Sequence, residues 1–200
     1  MTKMKTVYLV TLALLVSNWS QAGPASNDQE VFFEALATNC GKAFEGQVVS
    51  EDKLILGEGK HVVYFRQCSD SELMLSYNVG ENRSRTWVIS KTGHGLRLKH
   101  IHKHHDGSLD TLTFYGGDSD HSGTATKQYF PADDYSKKLF LDNDRAVSVD
   151  NIWSIGIVSG KTYSYRLQRD QVDVQIDFDL STQIDIPESS WGVISADTKP

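Results

Sequence analysis

Long apolar runs are almost missing from this sequence. The one present, VYLVTLALLV from Val7 to Val16, is about half the roughly 20 residues that a membrane-spanning helix needs, which argues against an integral membrane protein. Cysteine is scarce: Cys40 and Cys68 stand alone and far apart, so no CxxC redox or zinc geometry exists. Basic residues are outnumbered, 20 Lys and Arg against 26 Asp and Glu, for a formal charge of −6. Such a balance lacks the electrostatic footprint of a protein that binds nucleic acid or an anionic membrane surface. There is no GxSxG elbow, HExxH helix, phosphate loop or nucleotide fingerprint. Serine, aspartate and histidine are abundant enough to make any chosen triad arbitrary, and a carboxylate pair for glycoside hydrolysis is defined only by its separation. No segment has the length and periodicity of a crossover helix, so a parallel α/β architecture has little support.

What is present begins with a leader. Lys3 and Lys5 precede the apolar run, and Ser20-Gln21-Ala22 places small residues where a signal peptidase reads them. Residues 1–22 therefore read as a signal peptide cleaved before Gly23. Cys40 follows no lipid-attachment pattern, so a lipoprotein anchor is not expected. The remaining stretch, 23–200, is about 178 residues with a formal charge of −8 once Lys3 and Lys5 are removed. That length suits one domain with a substantial core. In an exported chain a single cysteine pair is expected to join. A Cys40–Cys68 bond closes a loop of about 28 residues, worth about 3–4 kcal/mol by loop closure.

Ser26 and Gln29 resemble a capping box, and Phe32, Phe33, Leu36, Ala37 and Cys40 share one helical face before Gly41 stops the helix. From Ala43 the pattern changes to short runs rich in Val, Ile, Tyr, Phe and Thr. Strands are expected over 43–50, 61–68, 72–79, 85–92, 96–104, 110–115, 124–130, 147–158, 162–169 and 172–180, most of them joined by hairpin-sized turns. The last is the cleanest, with Val172, Val174, Ile176, Phe178 and Leu180 alternating with polar residues, the mark of one covered and one wet face. The expected fold is mainly β: an antiparallel up-and-down barrel of about ten strands with one short N-terminal helix. Barrel closure also disposes of exposed edges. A two-sheet β-sandwich is the alternative. The tail from Pro187 onward reads as an irregular flap, anchored by Trp191.

Five of the seven histidines lie between His94 and His105. Period-two geometry over 96–104 puts Leu96, Leu98, His100, His102 and His104 on one face and Arg97, Lys99, Ile101 and Lys103 on the other. The leucines mark the covered side, so the histidines are expected to continue it toward one barrel end. Adjacent histidines on a strand can offer nitrogens to Zn(II) or another divalent transition metal, with Asp106, Asp110 or His121 as further ligands or orienting groups. His100 to His104 spans about 13 Å of strand, so one ion takes at most neighbouring members. Hydrogen bonding inside a partly hydrated barrel and direct acid–base chemistry are the competing roles, and each would respond to pH.

Polar groups on other covered faces extend the candidate site. Arg85 shares a face with Trp87, and Asn151 shares one with Trp153; Arg166 lies on a strand whose inward side is ambiguous. An arginine inside a cavity would meet a carboxylate or phosphate with its fork of donors. The ligand-binding candidates are thus His100, His102, His104, Arg85, Trp87, Asn151, Trp153 and Arg166. The Gly116-Gly117-Asp118-Ser119-Asp120 stretch reads as an acidic turn without a complete calcium-loop spacing. Asp133, Asp134, Asp142 and Asp144 read as loop surface.

The stretches NCGKAFEG from Asn39, RSRTWVISKTGHGLRLKH from Arg83, YGGDSD from Tyr115 and SVDNIWSI from Ser148 resemble a family of small uncharacterised secreted bacterial proteins. The resemblance implies a periplasmic or extracellular bacterial protein. The barrel pattern is also similar in architecture to the lipocalin and fatty-acid-binding (calycin-like) class, without its GxW signature. Three functions follow as expectations. The first is a noncatalytic exported binding or accessory protein that uses the barrel interior for a small molecule or metal. The second is a metal-dependent hydrolase whose strand-borne histidines hold the ion. The third is a structural or envelope-interaction protein presenting an apolar patch.

Overall fold

A computed structural model describes residues 27–193 apart from positions 52 and 121; the expected leader and His121 lie outside the described residues. Ten strands form: β1 (Ala43–Val48), β2 (His61–Cys68), β3 (Glu72–Val79), β4 (Asn82–Thr92), β5 (Gly95–His102), β6 (Tyr115–Asp118), β7 (Lys127–Pro131), β8 (Ile152–Val158), β9 (Thr162–Arg169) and β10 (Val172–Ile184). Two helices, α1 (Asn27–Ala37) and α2 (Asp134–Asp142), join them. Every ladder is antiparallel and the sheet order is β6-β5-β4-β3-β2-β1-β10-β9-β8-β7. One continuous sheet therefore curls until β6 and β7 meet, and the two-sheet sandwich is set aside in favour of a nearly closed barrel.

The seam is made by backbone. Asp120 N–H donates to Tyr129 O at 3.1 Å and Asp133 N–H to Gly116 O at 2.9 Å. Only glycine permits this approach. A Cβ on Gly116 would sit 1.9 Å from Leu98 O, and one on Gly117 would sit 1.7 Å from Pro131 O. Ser136 of α2 locks the seam from outside, its Oγ accepting from Gly116 N–H at 2.7 Å.

Inward side chains stack in rows across the ladders. Leu73, Ile89 and Leu98 are register partners in one row; Leu75, Trp87, His100 and Tyr115 form the next, and Tyr77, Arg85 and His102 the last. The far wall contributes Trp153, Ile155 and Ile157 from β8, Tyr163 and Tyr165 from β9, and Val174, Ile176 and Phe178 from β10, all buried. The barrel is thus filled by apolar groups at one end and becomes polar toward the other.

Helix α1 closes the apolar end. Its buried Phe32, Phe33 and Leu36 each contribute about 1.5–3 kcal/mol by leaving water. Lys91 of β4 pairs with Glu30 and lies 4.6 Å over the Phe33 ring. Gly41 takes φ +78 at the helix exit, and the Cys40–Cys68 disulfide ties that exit to the end of β2.

Several expected boundaries move. Residues 110–114 form no strand: Asp110 Oδ1 accepts from Leu112 N–H at 2.8 Å and Phe114 takes φ 61, which breaks the extended path. The strand lies instead in what read as an acidic turn, because Gly116 and Gly117 let the chain approach β5. Asp118 then forms a forked pair with Arg97. Strand β8 begins at Ile152 rather than 147, following a 3₁₀ turn at Ala146–Ser148. Helix α2 is additional to the one helix expected. Asp133 caps it by accepting from Ser136 N–H at 2.9 Å and also binds Lys99 Nζ, so it is no mere loop residue. The tail through residue 193 straps the outer face of β3 and β4: Ser190 Oγ donates to Ser76 Oγ at 2.7 Å, Trp191 N–H donates to Arg83 O at 3.1 Å, and Trp191 meets the His105 ring.

Candidate functional site

Opposite α1 the barrel opens into a cavity of about 510 Å³, within the range of small-molecule sites. Antiparallel pairing sets its wall: Arg85 lies across from His102, and Trp87 across from His100. Trp87 is sandwiched between Tyr165, with centroids 4.2 Å apart, and Tyr77, at 4.6 Å. His100 stacks on Tyr115 at 4.6 Å and touches Trp153 at 5.0 Å.

His100 is 2% exposed and both its ring nitrogens are occupied. Nδ1 lies 3.2 Å from Tyr115 O. A carbonyl only accepts, so Nδ1 carries the proton, and Nε2 accepts from the Tyr165 hydroxyl at 2.8 Å. His102 Nε2 lies 3.1 Å from the Tyr115 hydroxyl. Burial, helped by His102 and Lys99, lowers the His100 imidazole to about 3. Burial and the Arg85 guanidinium lower His102 to about 4, against the pull of Asp110. Burial also pushes the Tyr115 phenol up to about 12 and raises those of Tyr165 and Tyr77. All of these groups are uncharged at neutral pH. Among the described residues the cavity's charge then comes from Arg85, Arg145, Arg169 and a single carboxylate, Asp110.

Arg85, Trp87, His100, His102, Asn151 and Trp153 all line this cavity; Asn151 Oδ1 accepts from Arg169 Nη1 at 3.2 Å. Three expected members do not join them. The ladder stops at His102, because the chain turns with Gly107 N–H donating to His104 O. His104 thus stands with its side chain 56% exposed, 3.9 Å from Asp110. Asp106 is spent within its own turn, accepting from Ser108 N–H and Oγ. Arg166 points outward, since Tyr163 and Tyr165 take the inward side of β9, and it pairs with Asp173 on the outer surface.

The metal arrangement does not form among the described residues. No three His, Cys, Asp or Glu side chains converge there on a common point, and the Nε2 lone pair of His100 is already used by Tyr165. His100 and His102 are hydrogen-bonding members of a polar wall.

Tyr77, Tyr115, Tyr165, Arg145 and Arg169 also line the cavity and were not singled out by sequence. Parity carries the missed signal for two of them: Tyr163, Tyr165, Leu167 and Arg169 share one face of β9. Arg145 and Phe140 arrive from α2 and the turn after it, which strand patterning does not reveal. Comparison with protein-family models, curated proteins and solved structures finds no match to this chain. Among the described residues no helix is long and apolar enough to cross a membrane.

Proposed function

We propose that this chain is an exported, noncatalytic binding protein that holds a small molecule in the open end of its barrel. The observation carrying this reading is the cavity of about 510 Å³ at one end of a barrel whose other end is packed and plugged by α1. Its lining mixes apolar walls with a few convergent polar groups, the composition of a binding site. His100 and His102, each held neutral and hydrogen-bonded, give it shape and polarity. Export to the periplasm or beyond is supported by the leader-like residues 1–22 and by the Cys40–Cys68 bond, since such bonds persist in oxidising compartments.

The test uses N-phenyl-1-naphthylamine, an uncharged probe that brightens in apolar surroundings. The protein should bind it saturably, one per chain. Ser148 lines the mouth, so Ser148→Phe should weaken binding by about tenfold or more while leaving the melting temperature unchanged. Absence of saturable binding, or equal binding by the variant, overturns the reading.

A further inference from the structure

The cavity carries a cation that no carboxylate pairs with among the described residues. Arg83, Arg97 and Arg166 each have a carboxylate partner. Arg85 has none among the described residues, and its Nη1 is buried without a hydrogen-bond acceptor. Arg85 is half-buried, and a buried guanidinium nitrogen left without an acceptor is costly unless something completes it. Its described neighbours do not offset that charge. Tyr77, with its ring 5.9 Å away, stays protonated; His61 and His102 are held neutral in part by the Arg85 charge itself. Among the described residues Asp110 is the one lining carboxylate, outnumbered by three arginines. This positive cavity lies in a chain of formal charge −6, so its sign does not follow from composition.

Resting on the barrel-mouth reading above, we infer that the site takes an organic anion, one acid group on an apolar body, with the acid meeting Arg85. A guanidinium presents parallel N–H donors that match a carboxylate or sulfonate. One acid group is the fit, because Arg85 is the cavity arginine with a buried nitrogen left unpaired, while Arg169 is engaged by Asn151 and Arg145 is exposed. The apolar body follows from Ile55, Leu56, Leu112, Phe140 and Leu167 on the walls, against which a small inorganic anion would leave most of the space unfilled.

Two probes sharing one ring frame test this: 1-anilinonaphthalene-8-sulfonate carries an acid group, and N-phenyl-1-naphthylamine is the same molecule without it. The protein should bind the sulfonate about tenfold more tightly or better. Arg85→Gln should abolish that preference by weakening the sulfonate alone, and Arg85→Lys should retain part of it. Raising NaCl from about 20 to about 500 mM should weaken the sulfonate and spare the neutral probe, a readout on the unsubstituted protein that stands even where Arg85→Gln fails to fold. Equal affinity for the two probes, equal weakening of both by Arg85→Gln, or indifference of the sulfonate to salt overturns the anion inference. Saturable neutral-probe binding with no preference for the acid leaves the barrel-mouth reading standing, whereas binding of neither probe defeats both.

Discussion

The Tyr165 hydroxyl reaches across the barrel interior to within 2.8 Å of His100 Nε2, linking β9 to β5, two strands that are not neighbours in the sheet. It is a strut between opposite walls of the cavity, and its two ends satisfy each other.

Removing one end should cost more than the bond contributes. Tyr165→Phe leaves His100 Nε2 buried without a donor and should destabilise the fold by about 1–3 kcal/mol. In the Tyr165→Phe background, His100→Leu should then cost less than it does alone, because the orphaned nitrogen has gone. Urea denaturation of the two single variants and the double variant measures this; strict additivity would show that the pair does not act as a unit.

Acid should unfold the protein earlier than its carboxylates require. His100 and His102 are lowered to about 3 and about 4 in the fold, below the ordinary imidazole value of about 6.5. The unfolded chain therefore binds more protons below that value. Stability is complete above about pH 6.5 and falls as pH drops toward 4, by up to about 1.4 kcal/mol per pH unit for each histidine. Asp133 works in a lower window. Burial opposes its ionisation, but Lys99 and Ser136 hold it below 3.8, so its contribution is lost only in stronger acid. Urea midpoints between pH 7.5 and 4.5 should slope downward with acid, and His102→Gln should flatten part of the slope. A flat profile would mean that the imidazoles are solvated.

The seam should tolerate no side chain. Gly117→Ala places a methyl 1.7 Å from Pro131 O, and the next nearest atoms, of Pro131 and Asp133, are also backbone, so no flexible group can yield. A loss of at least about 3 kcal/mol is expected. Gly93→Ala meets nothing within 4 Å and should change stability by less than about 0.5 kcal/mol. Thermal melts of the pair compare the two sites, and equal melting temperatures would show that β6 does not lie against β7.

Strand existence was legible wherever one face was wet and the other covered. Val172, Val174, Ile176, Phe178 and Leu180 reveal β10, and the switch from Leu98 to His100 reveals where the interior turns polar. Legibility fails where tertiary contact decides. Gly116-Gly117-Asp118 carries turn composition, yet it is a strand because β5 and β7 come too close for any Cβ. Tyr163 and Tyr165 are amphipathic enough that parity alone leaves the inward side of β9 open; their packing on Trp87 settles it and turns Arg166 outward. His104 follows the period of its strand in sequence but lies beyond the point where the ladder ends. The cavity arginines divide in the same way: Arg85 and Arg169 follow strand parity, whereas Arg145 reaches the mouth through a helix whose cap, Asp133, reads as surface until Lys99 is placed beside it.

The plug at one end has a kinetic corollary. With Phe32, Phe33 and Leu36 seated there and a covalent tie at the helix exit, the chamber is, among the described residues, a cul-de-sac whose doorway lies beside Arg145, Ser148 and Asp110. Whatever enters must back out along the route by which it came, so arrival and departure share one threshold, and loosening that rim should speed both while leaving their ratio unchanged.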